Sequence, residues 1–351
     1  MLLTISATEA LARLDEFSAI VDARSESEFA EDRIPGAVNW PSLTDAERIV
    51  IGTEYVQVSP FTARKRGAAM VARNIASHIE RELIDAPKDW RPLVYCWRGG
   101  MRSGALATVL DQIGFRVHRL EGGYQKYRRA VIDSLDDLPS RFEYRVVCGS
   151  TGSGKSRLLQ ALRSLGAQVL DLEALANHRG SVLGLVPGSP QPGQKPFESR
   201  VWDALRHFDA TQPVFIEAES KKVGDLRVPL ALIERMRTAA CIRLELPLDA
   251  RVHLLLDDYE HFVRDTQAFC ERLDALRPMR GNEVVKGWQE AARADRTPDV
   301  VRALLVEHYD PIYSQSMKRN FLGVSALHAD LQWDGSEASL MSAAEAALRS
   351  H

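Results

Sequence analysis

Cys96 heads the stretch Cys96-Trp97-Arg98-Gly99-Gly100-Met101-Arg102-Ser103. An apolar run, Pro92-Leu93-Val94-Tyr95, precedes it, and a run of helical character, Gly104 to Leu110, follows. The loop therefore joins a strand to a helix. Backbone amides turned toward one point make a nest for an anion. Nearby positive charge and a following helix N-terminus favour a thiolate at Cys96. Such a thiolate attacks phosphorus, or accepts and passes on a chalcogen as a covalent adduct. Cys96 and Arg102 are the expected catalytic pair, and Trp97, Arg98, Gly99, Gly100, Met101 and Ser103 the expected anion cradle. Trp97 is placed either to stack on a splayed base or to wall the loop. Cys148, Cys241 and Cys270 read as small buried hydrophobes.

A second anion site is written as Gly149-Ser150-Thr151-Gly152-Ser153-Gly154-Lys155-Ser156, a match to G-x-x-x-x-G-K-[ST]. It follows the strand-like run Tyr144 to Cys148 and opens a helix, the context that marks a P-loop. Gly149, Gly152, Ser153 and Gly154 would turn amides onto a phosphate at a helix N-terminus. Lys155 would reach the terminal phosphate, and Ser156 would hold a metal ion, with Mg and a nucleotide as the default occupants. Asp171, Glu217 and Glu219, with Glu173 beside Asp171, end apolar strands and are candidate metal-side acids. No metal site is firmly assigned, and no tightly bound cofactor is expected.

The elements that must position these loops alternate. Strands are expected at Ala19–Asp22, Gly36–Asn39, Leu93–Tyr95 and Arg116–Leu120, and a helix over Thr62–Leu83. In the second half strands are expected at Tyr144–Cys148, Gln168–Asp171, Pro213–Glu217 and Ile242–Leu246, with mostly helix from Ala250 onward. Such alternation predicts α/β architecture with largely parallel sheets. The acidic, proline-containing stretch Leu135–Ser140 reads as a boundary, giving domains of 1–138 and 139–351. Val186 to Gly193, rich in glycine and proline, reads as a mobile cover.

The 351-residue chain has ample apolar material, 45%, for two cores. A net charge of -3 excludes a globally basic nucleic-acid binder, so any such partner must use local patches. Arg64-Lys65-Arg66, Lys126 with Arg128-Arg129, Lys221-Lys222 and Lys318-Arg319 are the candidates. Four scattered cysteines without a C-x-x-C pair point to a reducing cytoplasm and no zinc. The N-terminus reads as mature sequence rather than a signal peptide. No apolar run approaches membrane-spanning length.

Asp22-Ala23-Arg24, Arg33-Ile34-Pro35-Gly36-Ala37-Val38-Asn39, the Tyr95-Cys96 loop and Leu120-Glu121-Gly122-Gly123-Tyr124 together resemble a rhodanese domain. Five residues separate Cys96 from Arg102. Rhodaneses usually have one fewer. The longer spacing is that of cysteine phosphatases, although those typically carry histidine where Tyr95 stands. An extra residue widens the cradle toward a tetrahedral, phosphate-like group. A rhodanese domain followed by a P-loop, with Asp171-Leu172-Glu173-Ala174-Leu175-Ala176-Asn177-His178-Arg179-Gly180-Ser181, is similar over nearly the full chain to the bacterial tRNA 2-selenouridine synthases.

That resemblance implies a transferase acting on the wobble 2-thiouridine of tRNA. It implies selenophosphate and geranyl diphosphate as co-substrates, an S-geranyl intermediate on the base, and an S-selanylcysteine at Cys96. The rival readings are a cysteine-dependent phosphatase or a sulfurtransferase fused to a nucleotide-binding kinase-like domain, and a non-enzymatic RNA-binding adaptor. Oligomeric state, the choice of tRNA and the occupant of the P-loop are left open by the sequence.

Overall fold

The computed structural model describes residues 2–180, 184, 188–260 and 264–349. The chain forms two compact units. The first contains residues 1–135 and 192–203, and the second contains 136–191 and 204–351.

The first unit is built on a five-stranded sheet in the order β1-β5-β4-β2-β3. Its strands are β1 (Leu3–Ile5), β2 (Ala19–Asp22), β3 (Ala37–Asn39), β4 (Pro92–Tyr95) and β5 (His118–Leu120). Every pairing is parallel. Fully parallel sheets are covered on both faces, which explains why all four residues of β4 are buried. Val21, Val94, Leu106, Leu110 and Val117 form the core beneath α5 (Met101–Ile113). Because β2 leads to β3 on one side and β4 to β5 on the other, the carboxyl ends of β2 and β4 flank a crevice of the kind that binds ligands in such sheets. Cys96 follows β4 there.

The second unit repeats the plan. Its sheet has the order β12-β11-β6-β8-β7, again all parallel. The strands are β6 (Tyr144–Cys148), β7 (Gln168–Leu170), β8 (Val214–Glu217), β11 (Ala240–Glu245) and β12 (Ala329–Gln332). A small antiparallel hairpin, β9 (Lys222–Val223) and β10 (Leu226–Arg227), lies outside it. The P-loop leaves central β6 and opens α7 (Lys155–Ser164).

The expected α/β fold and all the expected strands are present, with ends shifted by one to two residues. Three features differ from expectation. Leu135–Ser140 is helical: α6 runs Gly123–Asp137 and a 3₁₀ turn follows at Leu138–Arg141. Leu135, Leu138 and Pro139 are buried, and proline is tolerated in a first turn. Edge strands β1 and β12 lie outside the expected set. So does a helix α3 (Asp45–Gln57), which precedes α4 (Pro60–Glu82), the helix expected over Thr62–Leu83.

Residues 192–203 join the first unit through α9 (Gln194–Arg206). Buried Ser199 accepts a hydrogen bond from the Tyr127 hydroxyl (3.0 Å) and donates to Asp32 (3.3 Å). The Tyr124 hydroxyl donates to the same Asp32 oxygen at 2.7 Å. Burial raises the Asp32 carboxyl above its usual range, against the lowering effect of these hydrogen bonds.

Candidate functional site

The cysteine loop is held from two sides. On one, the first turn of α6 donates backbone hydrogen bonds from Tyr124 to the Cys96 carbonyl (2.8 Å) and from Gln125 to the Trp97 carbonyl (3.1 Å). Gly99 has φ +66, and a Cβ there would stand 2.6 Å from the Leu120 carbonyl. Only glycine suits that approach. On the other side, Arg24 is buried with Asp22 in a bidentate ion pair (2.7 Å), and its guanidinium lies 4.2 Å from the Tyr124 ring centroid. Trp97 stacks on Tyr124 with centroids 5.4 Å apart. That makes Trp97 a wall of the loop and leaves it half-exposed.

Within the loop, Cys96 is 3% exposed and its Sγ accepts a hydrogen bond from Ser103 Oγ at 3.1 Å. Arg102 is turned to Glu28, with Nη1 and Nη2 on the two carboxylate oxygens at 2.6 and 3.2 Å. Arg48 of α3 reaches the same carboxylate at 2.9 Å. Burial would raise the Glu28 carboxyl, but the hydrogen bond and charge of Arg102 outweigh it and hold the group below its usual range. Arg98, Gly100 and Met101 are exposed at the rim.

The P-loop is braced from below and opens above. Gly154 has φ +89 and packs against the Trp333 ring, whose Nε1 donates to the Ser153 carbonyl at 2.7 Å. Arg251, 7% exposed, donates from Nε and Nη2 to the Thr151 carbonyl (2.9 and 2.7 Å) and is ion-paired with Asp310 (2.6 Å). Lys155 Nζ donates to the Gly149 carbonyl at 2.8 Å and lies 5.4 Å from the Tyr313 ring centroid. The Tyr313 hydroxyl accepts from the Gly149 N–H at 2.7 Å.

Acids converge beside this lysine. Ser156 Oγ donates to Glu173 at 3.1 Å, and the Glu173 N–H donates to Glu217 at 2.7 Å. Glu217 is 2% exposed, and its second oxygen is buried without a hydrogen-bond partner. Burial and the neighbouring acids push its carboxyl well up. Burial, then the Glu173 charge, push Glu219 to about 8. Asp171 caps the short helix α8 (Leu172–Leu175) by accepting from the Ala174 N–H at 2.9 Å. Among the described residues no group of three His, Cys, Asp or Glu is arranged to hold a metal ion.

A cavity of about 790 Å³ opens from the P-loop within the second unit. Gly154, Lys155, Ser156, Glu173 and Glu219 line one part of it. Leu254, Leu255, Met279, Ile312, Met317 and Phe321 give it an apolar wall. The cavity thus offers both polar and apolar groups to a ligand, with Arg179, His308 and Asn320 also in its lining.

Val186 and Pro187 of the expected cover, and Ser181 of the Asp171 stretch, lie outside the described residues. Of the described part, Gln191 bonds the Ala176 and Val223 carbonyls (3.2 and 3.0 Å) and the Asp225 N–H (3.0 Å). Glu28, Arg251 and Tyr313 carry no signal in the sequence, because long-range pairing alone brings them to the loops. Of the basic candidates, Arg128 is paired with Glu198 and Arg129 with Asp133, whereas Arg64, Lys65, Lys221, Lys222, Lys318 and Arg319 stand exposed.

A rhodanese-like unit bearing a cysteine loop, with a P-loop unit after it, defines a two-centre α/β protein. Residues 6–130 match the rhodanese-like domain model, and residues 142–280 match the model described as the tRNA 2-selenouridine synthase AAA domain. A curated tRNA 2-selenouridine synthase of Shewanella halifaxensis is 31% identical over 86% of this chain and 89% of its own length. One from Chromohalobacter salexigens is 31% identical over 86% and 88%. One from Nitrosomonas europaea is 34% identical over 68% of this chain, and the match spans only 63% of that relative. The chain belongs to the tRNA 2-selenouridine synthase family. Among the described residues no helix is long and apolar enough to cross a membrane.

Proposed function

We propose that this chain is a cytoplasmic transferase that converts 2-thiouridine at the tRNA wobble position to 2-selenouridine, by way of an S-geranyl intermediate. The observation that carries the two-step reading is the composition of the P-loop cavity, cationic and amide-rich at Lys155 and apolar along Ile312, Met317 and Phe321. A nucleotide would satisfy the first part. A prenyl diphosphate would satisfy both.

The chemistry follows an order. A thiocarbonyl sulfur is a poor leaving group but a soft nucleophile. It attacks the first carbon of geranyl diphosphate while the C–O electron pair leaves with diphosphate, stabilised by Lys155 and the loop amides. S-alkylation makes C2 of the base electrophilic and turns the sulfur into a departing geranyl thiol. The Cys96 thiolate attacks the phosphorus of selenophosphate as the P–Se bond breaks. The selenide released adds to C2 of the base as the C–S bond breaks and geranyl thiol leaves, and water then frees phosphate from the cysteine. Should a divalent cation such as Mg accompany the diphosphate, Ser156 and the Glu173 carboxylate it bonds would be the groups to hold it. Such an ion would supply charge neutralisation for the diphosphate.

Mass spectrometry of nucleosides from tRNA incubated with the protein, selenophosphate and geranyl diphosphate tests the proposal. Selenouridine with S-geranyl-thiouridine as precursor is the expected result. Neither product, together with Cys96-dependent phosphate release from an aryl phosphate, would replace it with the phosphatase reading.

A further inference from the structure

The helix pair α3–α4 ends in an exposed apolar surface. At its tip Val56 is 83% exposed, Val58 73% and Phe61 67%. Tyr55 beside them is 45% exposed. Soluble proteins scatter single apolar residues over their surfaces, but a contiguous group marks an interaction site. The first half of α4, which follows it, carries charge of one sign. From Pro60 to Ala76 the sequence holds Arg64, Lys65, Arg66 and Arg73 and no acid. Arg66 is 3.8 Å from Glu54, and Lys65 lies 4.9 Å from the Phe61 ring centroid. Among the described residues Arg64 has no ion-pair partner, whereas Arg73 lies toward the base, where its charge helps to lower the Glu47 carboxyl.

The base of the same pair is fastened to the cysteine loop. Arg48, in the first turn of α3, shares the Glu28 carboxylate with Arg102. From Arg48 to Gln57 the helix advances about 14 Å. A nucleic acid whose target base sits at Cys96 would therefore pass its neighbouring nucleotides along this arm.

We infer that the α3–α4 tip is a docking surface for the single-stranded loop of the tRNA, with Phe61 and Tyr55 stacking on unpaired bases and Arg64 and Lys65 contacting phosphates. Unstacked loop bases lie on aromatic faces, and cationic side chains follow the backbone. A protein partner would be served by the valines but not by four cations in 17 residues without an acid. Charge complementarity selects the polyanion. The inference rests on tRNA being the substrate.

The test measures binding of the full chain to substrate tRNA and to a blunt RNA duplex, each across a salt series, with sedimentation of the free protein. Arg64→Glu/Lys65→Glu should weaken tRNA binding tenfold or more and flatten the salt slope by roughly one for each phosphate no longer neutralised. Phe61→Ala should weaken tRNA several-fold and leave the duplex unchanged. Both variants must retain wild-type thermal unfolding, which their exposure favours. Wild-type tRNA affinity and slope in both variants would overturn the docking surface alone. A change in self-association with tRNA binding intact would reassign the tip to a protein interface. Absence of tRNA binding by the wild-type chain would overturn both this surface and the proposed function.

Discussion

Both loops leave the third strand of a five-stranded parallel sheet and run into a helix, yet they are enclosed differently. The cysteine loop is closed in. The α6 N–H groups hold its carbonyls, Trp97 and Tyr124 stack over it, and Cys96 is 3% exposed. The P-loop is braced by Arg251, Trp333 and Tyr313, and opens into about 790 Å³ with apolar residues in its lining. The same strand-loop-helix unit is thus closed over in one case and open to a cavity in the other, according to what later segments place against it.

If that contrast is functional, the two loops fail separately. Lys155→Ala should lower S-geranyl-tRNA formation by more than a hundredfold, because it removes the charge nearest the departing diphosphate. Persistence of geranylation with unchanged geranyl diphosphate affinity would detach the P-loop from this step. Cys96→Ser should abolish selenium incorporation while S-geranyl-thiouridine still accumulates, since only the second step needs a thiolate. Loss of both products in a folded Cys96→Ser protein would mean that the loops act as one site.

Glu28 sharpens the comparison from within the first unit. Glu28→Gln keeps the shape but releases the charge that holds Arg102 and Arg48. Selenation should fall about tenfold, and geranylation should stay at the wild-type rate. The ion pair also carries a pH signature. Because the folded carboxyl is held below its unfolded value, its stabilisation is complete above the ordinary carboxylate range. It is lost as pH falls through the lowered value. Wild-type and Glu28→Gln unfolding curves should therefore converge toward acid pH. A constant gap at all pH values would assign Glu28 a packing role instead.

Much of this is legible in the sequence, because short buried strands and glycine-rich loops are local signals. Ala19–Asp22 and Tyr144–Cys148 are strands over the expected residues, and GSTGSGKS opens its helix at Lys155. What escapes a sequence reading is non-local. The three-residue β1 exists because Leu3, Thr4 and Ile5 pair with β5, over a hundred residues away. The strand β12 sits in a helical region and is set by β11. Nothing near Glu28 announces Arg102, and nothing near Ser199 announces Asp32 and Tyr127. The helix α3 escapes for another reason. Its apolar residues Ile49, Val50, Tyr55 and Val56 stay exposed, so it lacks the one-sided stripe that reveals a packed helix.

The apolar wall provides the finest discrimination. Ile312 lines the cavity and is 47% exposed, so shortening it costs the fold little. Removing its outer carbons takes away a surface that only a hydrocarbon tail would use, worth about 1–2 kcal/mol for a few methylenes. Ile312→Ala should raise the KM for geranyl diphosphate several-fold and leave competition by inorganic diphosphate unchanged. A nucleotide in the same cavity would place its polar base and ribose there and respond little to the substitution. If geranyl diphosphate and inorganic diphosphate weakened together, the wall would be acting on the P-loop rather than on the tail. The difference between the two loops would then reduce to depth alone.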